Sequence, residues 1–357
     1  MLNSRQTAIP ALVRVKPGAL DRMGVYAKRH GFSSVVVLIS EGLGTELSER
    51  LDGALNSCGI LIARKEEIDS TGFNRAVEIF QHLPTGTRAV IGFGGGKALD
   101  VAKYAAFLAG LPYLAVPTSL SNDGFCSPQS SLEVNGRRRS LPCAMPFGVI
   151  IDTAVCLGAP KALWHSGIGD LVSKFTAVTD WKLAFHAVGT PVDDFAALLS
   201  DASVYQFIAR PAYDLEGMRL LATALLLNGI AMSIGGSSRP ASGSEHLISH
   251  ALDGISRRPR LHGLQVGVAA YLVSLLQGQN SETIDALFCK TGFWDALADD
   301  PFDYAEWMAA VAAAPTMKPD FYTVLSSQDC LPETARLAGE DPRLKRCFTG
   351  PEAQERS

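Results

Sequence analysis

The sequence predicts an α/β protein in two parts, a parallel sheet flanked by helices and then an all-helical half. Three observations carry this reading. Up to about residue 150, short β-branched runs alternate with amphipathic segments of helical period, the mark of parallel βαβ units. Beyond residue 154, alanine and leucine rise, the β-branched runs stop and helical periodicity continues. The 357 residues also exceed what one ordinary core accommodates. The predicted division is 1–154 and 155–357.

In chain order, strands are expected over 11–15, 35–39, 60–63, 89–91 and 113–116, with helices over 18–29, 44–55, 73–82 and 99–108. At Val134-Asn135-Gly136-Arg137 an Asn-Gly pair stands between two short runs, which reads as a hairpin with a tight turn. A last strand over 149–152 closes the first part, and the tail over 351–357 reads as disordered.

Composition narrows the partners. With 47% hydrophobic residues, 19% charged residues and a net charge of −4, the chain offers no basic surface for nucleic acid or anionic lipid. The most apolar segment, 220–234, is interrupted by Thr223, Asn228 and Ser233 and reads as a buried helix too short to span a bilayer. Seven scattered cysteines without a CxxC pair, and an N-terminus without a signal-like apolar stretch, read as a cytoplasmic protein with reduced thiols. We expect a small-molecule substrate, no nucleic-acid or membrane partner, and a homo-oligomer.

The stretch GFGGGKALDVAK over 92–103 puts Gly94, Gly95 and Gly96 between a strand and a helix. Free N–H groups and the positive end of the helix dipole favour a pyrophosphate there, and the absence of Cβ allows close approach. The pattern is not GxGxxG, and an ordinary turn explains the glycines equally well. The next loop, PTSLSNDGFCSP over 117–128, offers the hydroxyls of Thr118, Ser119, Ser121 and Ser127 and the carboxylate of Asp123. Successive strands ending in such loops make the crevice where open α/β sheets bind ligands, although these residue types also cap and turn on their own account.

Three of the seven histidines fall close together, in SGSEHLISH over 242–250 and LHG over 261–263. His246 and His250 are four apart and share one face of a helix. Upstream, SGIGDLVSK over 166–174 sets Asp170 just after a Gly-x-Gly helix start, with Lys174 one turn on as an ordinary ion-pair partner. Two imidazoles and one carboxylate with a fourth position open would make a catalytic zinc arrangement, but a histidine pair at this spacing is a weak signal alone.

Together, GGGKALDVAK, PTSLSNDGFCSP, SGIGDLVSKFTAVTDWKLA and SRPASGSEHLISHALD followed by LHGLQVGV resemble the sn-glycerol-1-phosphate dehydrogenases. These belong to the iron-containing alcohol dehydrogenase and dehydroquinate synthase-like superfamily. The resemblance spans about residues 30 to 270. It implies a Rossmann-like N-terminal domain, a helical C-terminal domain, and NAD(P) with one divalent metal (zinc, with iron or nickel as alternatives) in the cleft. Carried over by motif, Asp170, His246 and His262 are metal ligands, while His250, Asp123 and Asp170 face the substrate, His250 and Asp123 as catalytic residues. Gly94, Gly95, Gly96, Lys97 and Asp100 hold the cofactor from the first loop, and Thr118, Ser119, Ser121 and Ser127 from the second. The family usually reads His-Gly-Glu at the last ligand; here Leu264 replaces the glutamate, which removes a carboxylate that would orient the imidazole.

The implied reaction is hydride transfer from NAD(P)H to the ketone of dihydroxyacetone phosphate, with His250 relaying the proton. Arg239, Lys174 and the Arg257/Arg258/Arg260 cluster are the cations available to its phosphate. Glu41, after the strand at 35–39, is placed to take a ribose hydroxyl and favours NAD. The alternatives are a metal-dependent polyol dehydrogenase and a dehydroquinate synthase-like sugar-phosphate cyclase. The loop Ser121-Asn122-Asp123-Gly124 and an aspartate ligand argue against the cyclase.

Overall fold

The computed structural model describes residues 7–298, 300–318 and 320–349, so the tail expected at 351–357 lies outside them. Backbone contacts divide the chain into one unit ending at Ala159 with Asp214–Ser233 added, and a second of Pro160–Tyr213 and Ile234–Ser357. The added stretch is helical, and its periodicity gave no sign that it belongs with the first unit.

In the first unit, β1 (Leu12–Val15), β2 (Ser34–Ser40), β3 (Leu61–Ile68), β4 (Ala89–Gly94) and β5 (Tyr113–Pro117) follow the expected alternation. After a hairpin of β6 (Gln129–Val134) and β7 (Arg137–Pro142), β8 (Gly148–Ile151) returns to the sheet. The sheet is six-stranded and parallel, in the order β1-β8-β5-β4-β2-β3. β2 reads SVVVLIS with its five inner residues buried, as a strand covered on both faces requires. The helices α1 (Met23–Arg29), α2 (Thr45–Asn56), α3 (Phe73–Gln81) and α4 (Gly96–Ala109) connect these strands. The apolar core of one side gathers Leu20, Met23, Tyr26, Leu51 and Leu55 against Val35, Val37, Ile91 and Leu114.

The hairpin turn is as its Asn-Gly predicts, with φ of 53° at Asn135 and 73° at Gly136. Several boundaries differ from expectation: β3 runs on to Ile68 where 60–63 was expected, and α1 begins at Met23 rather than at 18. The glycines at 92 and 94 are inside β4, and α4 starts at Gly96 rather than at 99. Asp152, expected to end the last strand, instead caps α5 (Thr153–Leu157) through the N–H of Ala154 and accepts from Gly18 and Leu20 beside β1.

The second unit is built on α6 (Lys161–Val188), α7 (Asp194–Ile208), α9 (Ser244–Ile255) and α10 (His262–Gln277), with α8 (Leu215–Gly235) mostly in the first unit. It is not purely helical: Phe302–Asp303 pairs with Phe348–Thr349 in a two-residue parallel bridge. α8, expected to be too short to span a bilayer, has 21 residues and passes that test by length and composition, but most of its apolar window is buried in the protein. None of the seven cysteines is disulfide-bonded.

Candidate active site

The glycine motif serves two purposes. Gly94 has φ of 129°, and a Cβ there would stand 2.3 Å from Ser40 Oγ, so this glycine is required by the fold itself. Gly95 and Gly96 are different: a Cβ at Gly95 meets only Ser40 Oγ at 3.8 Å, and one at Gly96 meets nothing within 4 Å. Their bareness leaves room in front of the first turn of α4. Gly95 is the N-cap and has no side chain to satisfy that turn's N–H groups; its own N–H donates to Ser40 Oγ at 2.8 Å.

Thr118 adjoins the glycines, its N–H donating to the Gly94 carbonyl at 3.1 Å. Ser119 and Ser121 are half-buried in the same loop, and Asp123 opens a short turn capped by Asn122. Other expected cofactor residues are turned elsewhere. Lys97 Nζ reaches the Asp69 carbonyl at 3.0 Å, and Asp100 is buried beside Ser130 and Lys103. Ser127 is also buried, donating to the Gln129 carbonyl at 3.0 Å. The residue that organises this region was missed: Lys103, 1% exposed, donates at 2.6 Å to the carbonyls of both Gly124 and Gln129. It pins the second loop to α4, and its sequence signal is only a lysine on an otherwise apolar helix face. Glu41 is exposed, its N–H held by the Ile68 carbonyl.

In the second unit the expected ligands converge. Asp170 Oδ1 lies 3.4 Å from His246 Nε2 and 3.9 Å from His262 Nε2, and the three ligand atoms are all within 4.8 Å of one another. Tetrahedral zinc with bonds of about 2.0–2.1 Å needs donors roughly 3.3 Å apart, so this cluster fits a divalent ion after small side-chain movements. Asp170 is not at a helix start, as the Gly-x-Gly suggested, but inside the 28-residue α6. The glycines instead permit helix contact. A Cβ on Gly169 would stand 1.9 Å from the Gly263 carbonyl oxygen, and one on Gly267 would stand 2.9 Å from Gly169 Cα. That crossing of α6 and α10 places His262, the first residue of α10, beside Asp170.

The outer contacts orient each of the three side chains. Burial alone would raise the Asp170 carboxyl, but Lys174 and the two imidazoles hold it well below the usual carboxylate range. Lys174 is fully buried, with Nζ 3.5 Å from Asp170 Oδ1 and 3.3 Å from the Ala241 carbonyl. His246 Nδ1 meets Glu245 Oε1 at 2.8 Å; Glu245 is fully buried and also accepts from Gly243 N and Thr176 Oγ1. Burial would lower the His246 pKa, yet Asp170 and Glu245 raise it. His262 Nδ1 lies 3.3 Å from Ser249 Oγ, which Gln265 holds at 3.0 Å. The carboxylate that Leu264 does not supply is therefore supplied to the other histidine by Glu245, and His262 is oriented by a hydroxyl. Glu245 was not expected from the sequence: its carboxylate precedes His246 in SGSEH, whereas the His-Gly-Glu pattern puts one after the histidine. His250 completes the histidine group, its ring centroid 6.4 Å from that of His246 and 6.2 Å from that of His262.

The cations expected to meet a phosphate have protein partners. Arg258 and Arg260 pair with Asp300, Arg257 with Glu306, and Arg239 donates to the Tyr322 carbonyl at 2.6 Å.

A parallel sheet with a glycine-led helix, followed by helices carrying an Asp-His-His cluster, defines a class, and residues 14–160 match the iron-containing alcohol dehydrogenase family. The chain is 37% identical over 290 residues to the glycerol-1-phosphate dehydrogenase (NAD(P)+) of Thermofilum pendens, covering 80% of this chain and 83% of that protein. It is 35% identical over 333 residues to the enzyme of the same name from Aeropyrum pernix, covering 92% and 95%. Its fold is also that of glycerol dehydrogenase from Schizosaccharomyces pombe, with a TM-score of 0.76 at 18% identity over 99% of this chain and 94% of that one. The chain belongs to the glycerol-1-phosphate dehydrogenases, an NAD(P)-linked branch of the iron-containing alcohol dehydrogenase family.

Proposed function

We propose that this chain reduces the ketone of dihydroxyacetone phosphate with NAD(P)H, giving sn-glycerol 1-phosphate. The observation that carries the proposal is the convergence of Asp170, His246 and His262, in a chain whose named relatives match it over most of their length. When bound, a zinc ion held by these three residues supplies Lewis-acid polarisation of the substrate oxygen, and the nicotinamide supplies the hydride. Glu245 and Ser249 fix each imidazole with its Nε2 toward Asp170, so the donors are presented before anything binds. Lys174 keeps Asp170 ionised.

Gly95, Gly96 and the first turn of α4, with Thr118 and Ser119 beside them, make the cradle for the cofactor pyrophosphate. Lys103 holds that second loop in place. His250 stands next to the two ligand histidines without joining the three-atom cluster, and we assign it the proton delivered to the substrate oxygen after hydride transfer. Asp123, whose loop adjoins the cradle, is the carboxylate that we assign to the substrate hydroxyl. The exposed Glu41 suits a ribose hydroxyl and favours NAD. Zinc fits the N2O donor set, and iron or nickel would suit it too.

The test is initial-rate measurement at the nicotinamide absorbance with zinc-loaded protein. Dihydroxyacetone phosphate should be reduced at least tenfold more efficiently than dihydroxyacetone. Equal efficiency on both would make the chain a polyol dehydrogenase instead.

A further inference from the structure

Two cations of the second unit have no part in the scheme above. Arg239 and Lys318 share one aromatic ring: Arg239 Cζ lies 3.6 Å from the Phe321 centroid and Lys318 Nζ 4.9 Å from it. Arg239 is 4% exposed and anchored by its bond to the Tyr322 carbonyl, whereas Lys318 is half-buried and reaches Ser238 Oγ at 3.5 Å. Among the described residues neither cation has a carboxylate within ion-pair distance. The carboxylates that act on them from farther off are already engaged. Asp180 accepts from the N–H groups of Ser244 and Val324 and from Gln277, and Glu245 accepts from Gly243, His246 and Thr176.

Two like charges held against one ring, one of them buried, repel each other unless an anion completes the site. In keeping with this, burial lowers the pKa of both, and Arg239 lowers that of Lys318 further. The position is suited to a short substrate. Arg239 is two residues before Ala241, whose carbonyl takes the Lys174 ammonium at Asp170, and two residues span about 7 Å at most.

We propose that Lys318, backed by Arg239 and flanked by Ser238, binds the phosphate of a phosphate-monoester substrate. This rests on the reading of Asp170, His246 and His262 as the reaction centre; of the cations expected from the sequence it keeps Arg239, adds Lys318, and sets aside the Arg257/Arg258/Arg260 cluster.

The experiment is calorimetric titration of zinc-loaded protein with inorganic phosphate, paired with dihydroxyacetone phosphate kinetics. It is run on wild type, Lys318→Gln, Lys318→Arg and Arg257→Gln; the Arg257 side chain is 96% exposed and serves as control. Lys318→Gln should weaken phosphate binding at least tenfold and raise KM for dihydroxyacetone phosphate by about ten- to a hundredfold. Arg257→Gln should bind phosphate within about threefold of wild type, and Lys318→Arg, which keeps the charge, should lose clearly less than Lys318→Gln. Phosphate should also compete with dihydroxyacetone phosphate in the wild type. Unchanged binding in Lys318→Gln, equal loss in Lys318→Arg, or binding without competition would each overturn the proposal. The titration needs no turnover, so phosphate bound through Lys318 in a protein that reduces no triose would uphold this site and sink the reaction assigned to it.

Discussion

Gly169 on α6 packs directly on the backbone of Gly263 in the first turn of α10, and this contact brings Asp170 and His262 together. Gly169→Ala should force the helices apart, costing about 2 kcal/mol or more of stability and weakening metal binding with it. Gly254→Ala, where a Cβ meets nothing within 4 Å, should be neutral or slightly stabilising. Denaturant unfolding of the two metal-free variants makes the comparison. Equal stability would mean that the crossing tolerates a side chain.

Glu245 is expected to act through His246. Glu245→Gln keeps a hydrogen-bond acceptor at the imidazole but removes the charge, and should lower zinc affinity by about tenfold; Glu245→Ala should lower it by about a hundredfold. Competition with a chromophoric chelator measures both, and the visible spectrum of the cobalt-substituted protein should change in the alanine variant. An unchanged spectrum and affinity would leave Glu245 as a plain N-terminal clamp of α9.

The two neighbouring glycines of the first loop should separate folding from binding. Gly94→Ala collides with Ser40 and should destabilise the protein with or without cofactor. Gly95→Val should fold normally and weaken NAD(P)H binding by about tenfold or more, since the side chain fills space outside the protein's own packing. Fluorescence titration of NADH, together with melting curves, checks the contrast. Normal NADH affinity in Gly95→Val would return the loop to an ordinary turn.

Much of this was legible in the sequence, and the misses share a cause. The alternation of strands and helices, the Asn135-Gly136 turn and the Asp170-His246-His262 cluster follow from periodicity, turn chemistry and motif. The role of Gly169 was misread because a glycine that admits another helix has the same sequence signature as one that starts a helix. Lys103, Glu245 and Lys318 were missed because their partners lie far along the chain or sit where no local pattern marks them. Asp100 and Lys97 lie in the cofactor motif, yet their side chains are engaged elsewhere.

Asp180 gives a pH test of the packing behind the site. Burial, reinforced by Glu245, raises its carboxyl from 3.8 to about 6. The folded chain therefore takes up this proton before the unfolded chain does. Ionised Asp180 weighs against folding above about pH 6, and that penalty is relieved as pH falls toward 4. In metal-free protein, lowering the pH from 7 to 4.5 should shift stability in favour of wild type over Asp180→Asn by about 2 kcal/mol. A difference that does not vary with pH would show that Asp180 titrates as an ordinary carboxylate.

The central claim is that Asp170, His246 and His262 hold the metal on which the reaction depends. Elemental analysis of zinc-reconstituted wild type and His246→Ala, each assayed with dihydroxyacetone phosphate and NADH, tests it most directly. We predict about one zinc per chain and turnover in the wild type, and neither in a variant that keeps its circular-dichroism spectrum. Full zinc content in His246→Ala, or undiminished turnover by chelator-treated wild type, would contradict the account.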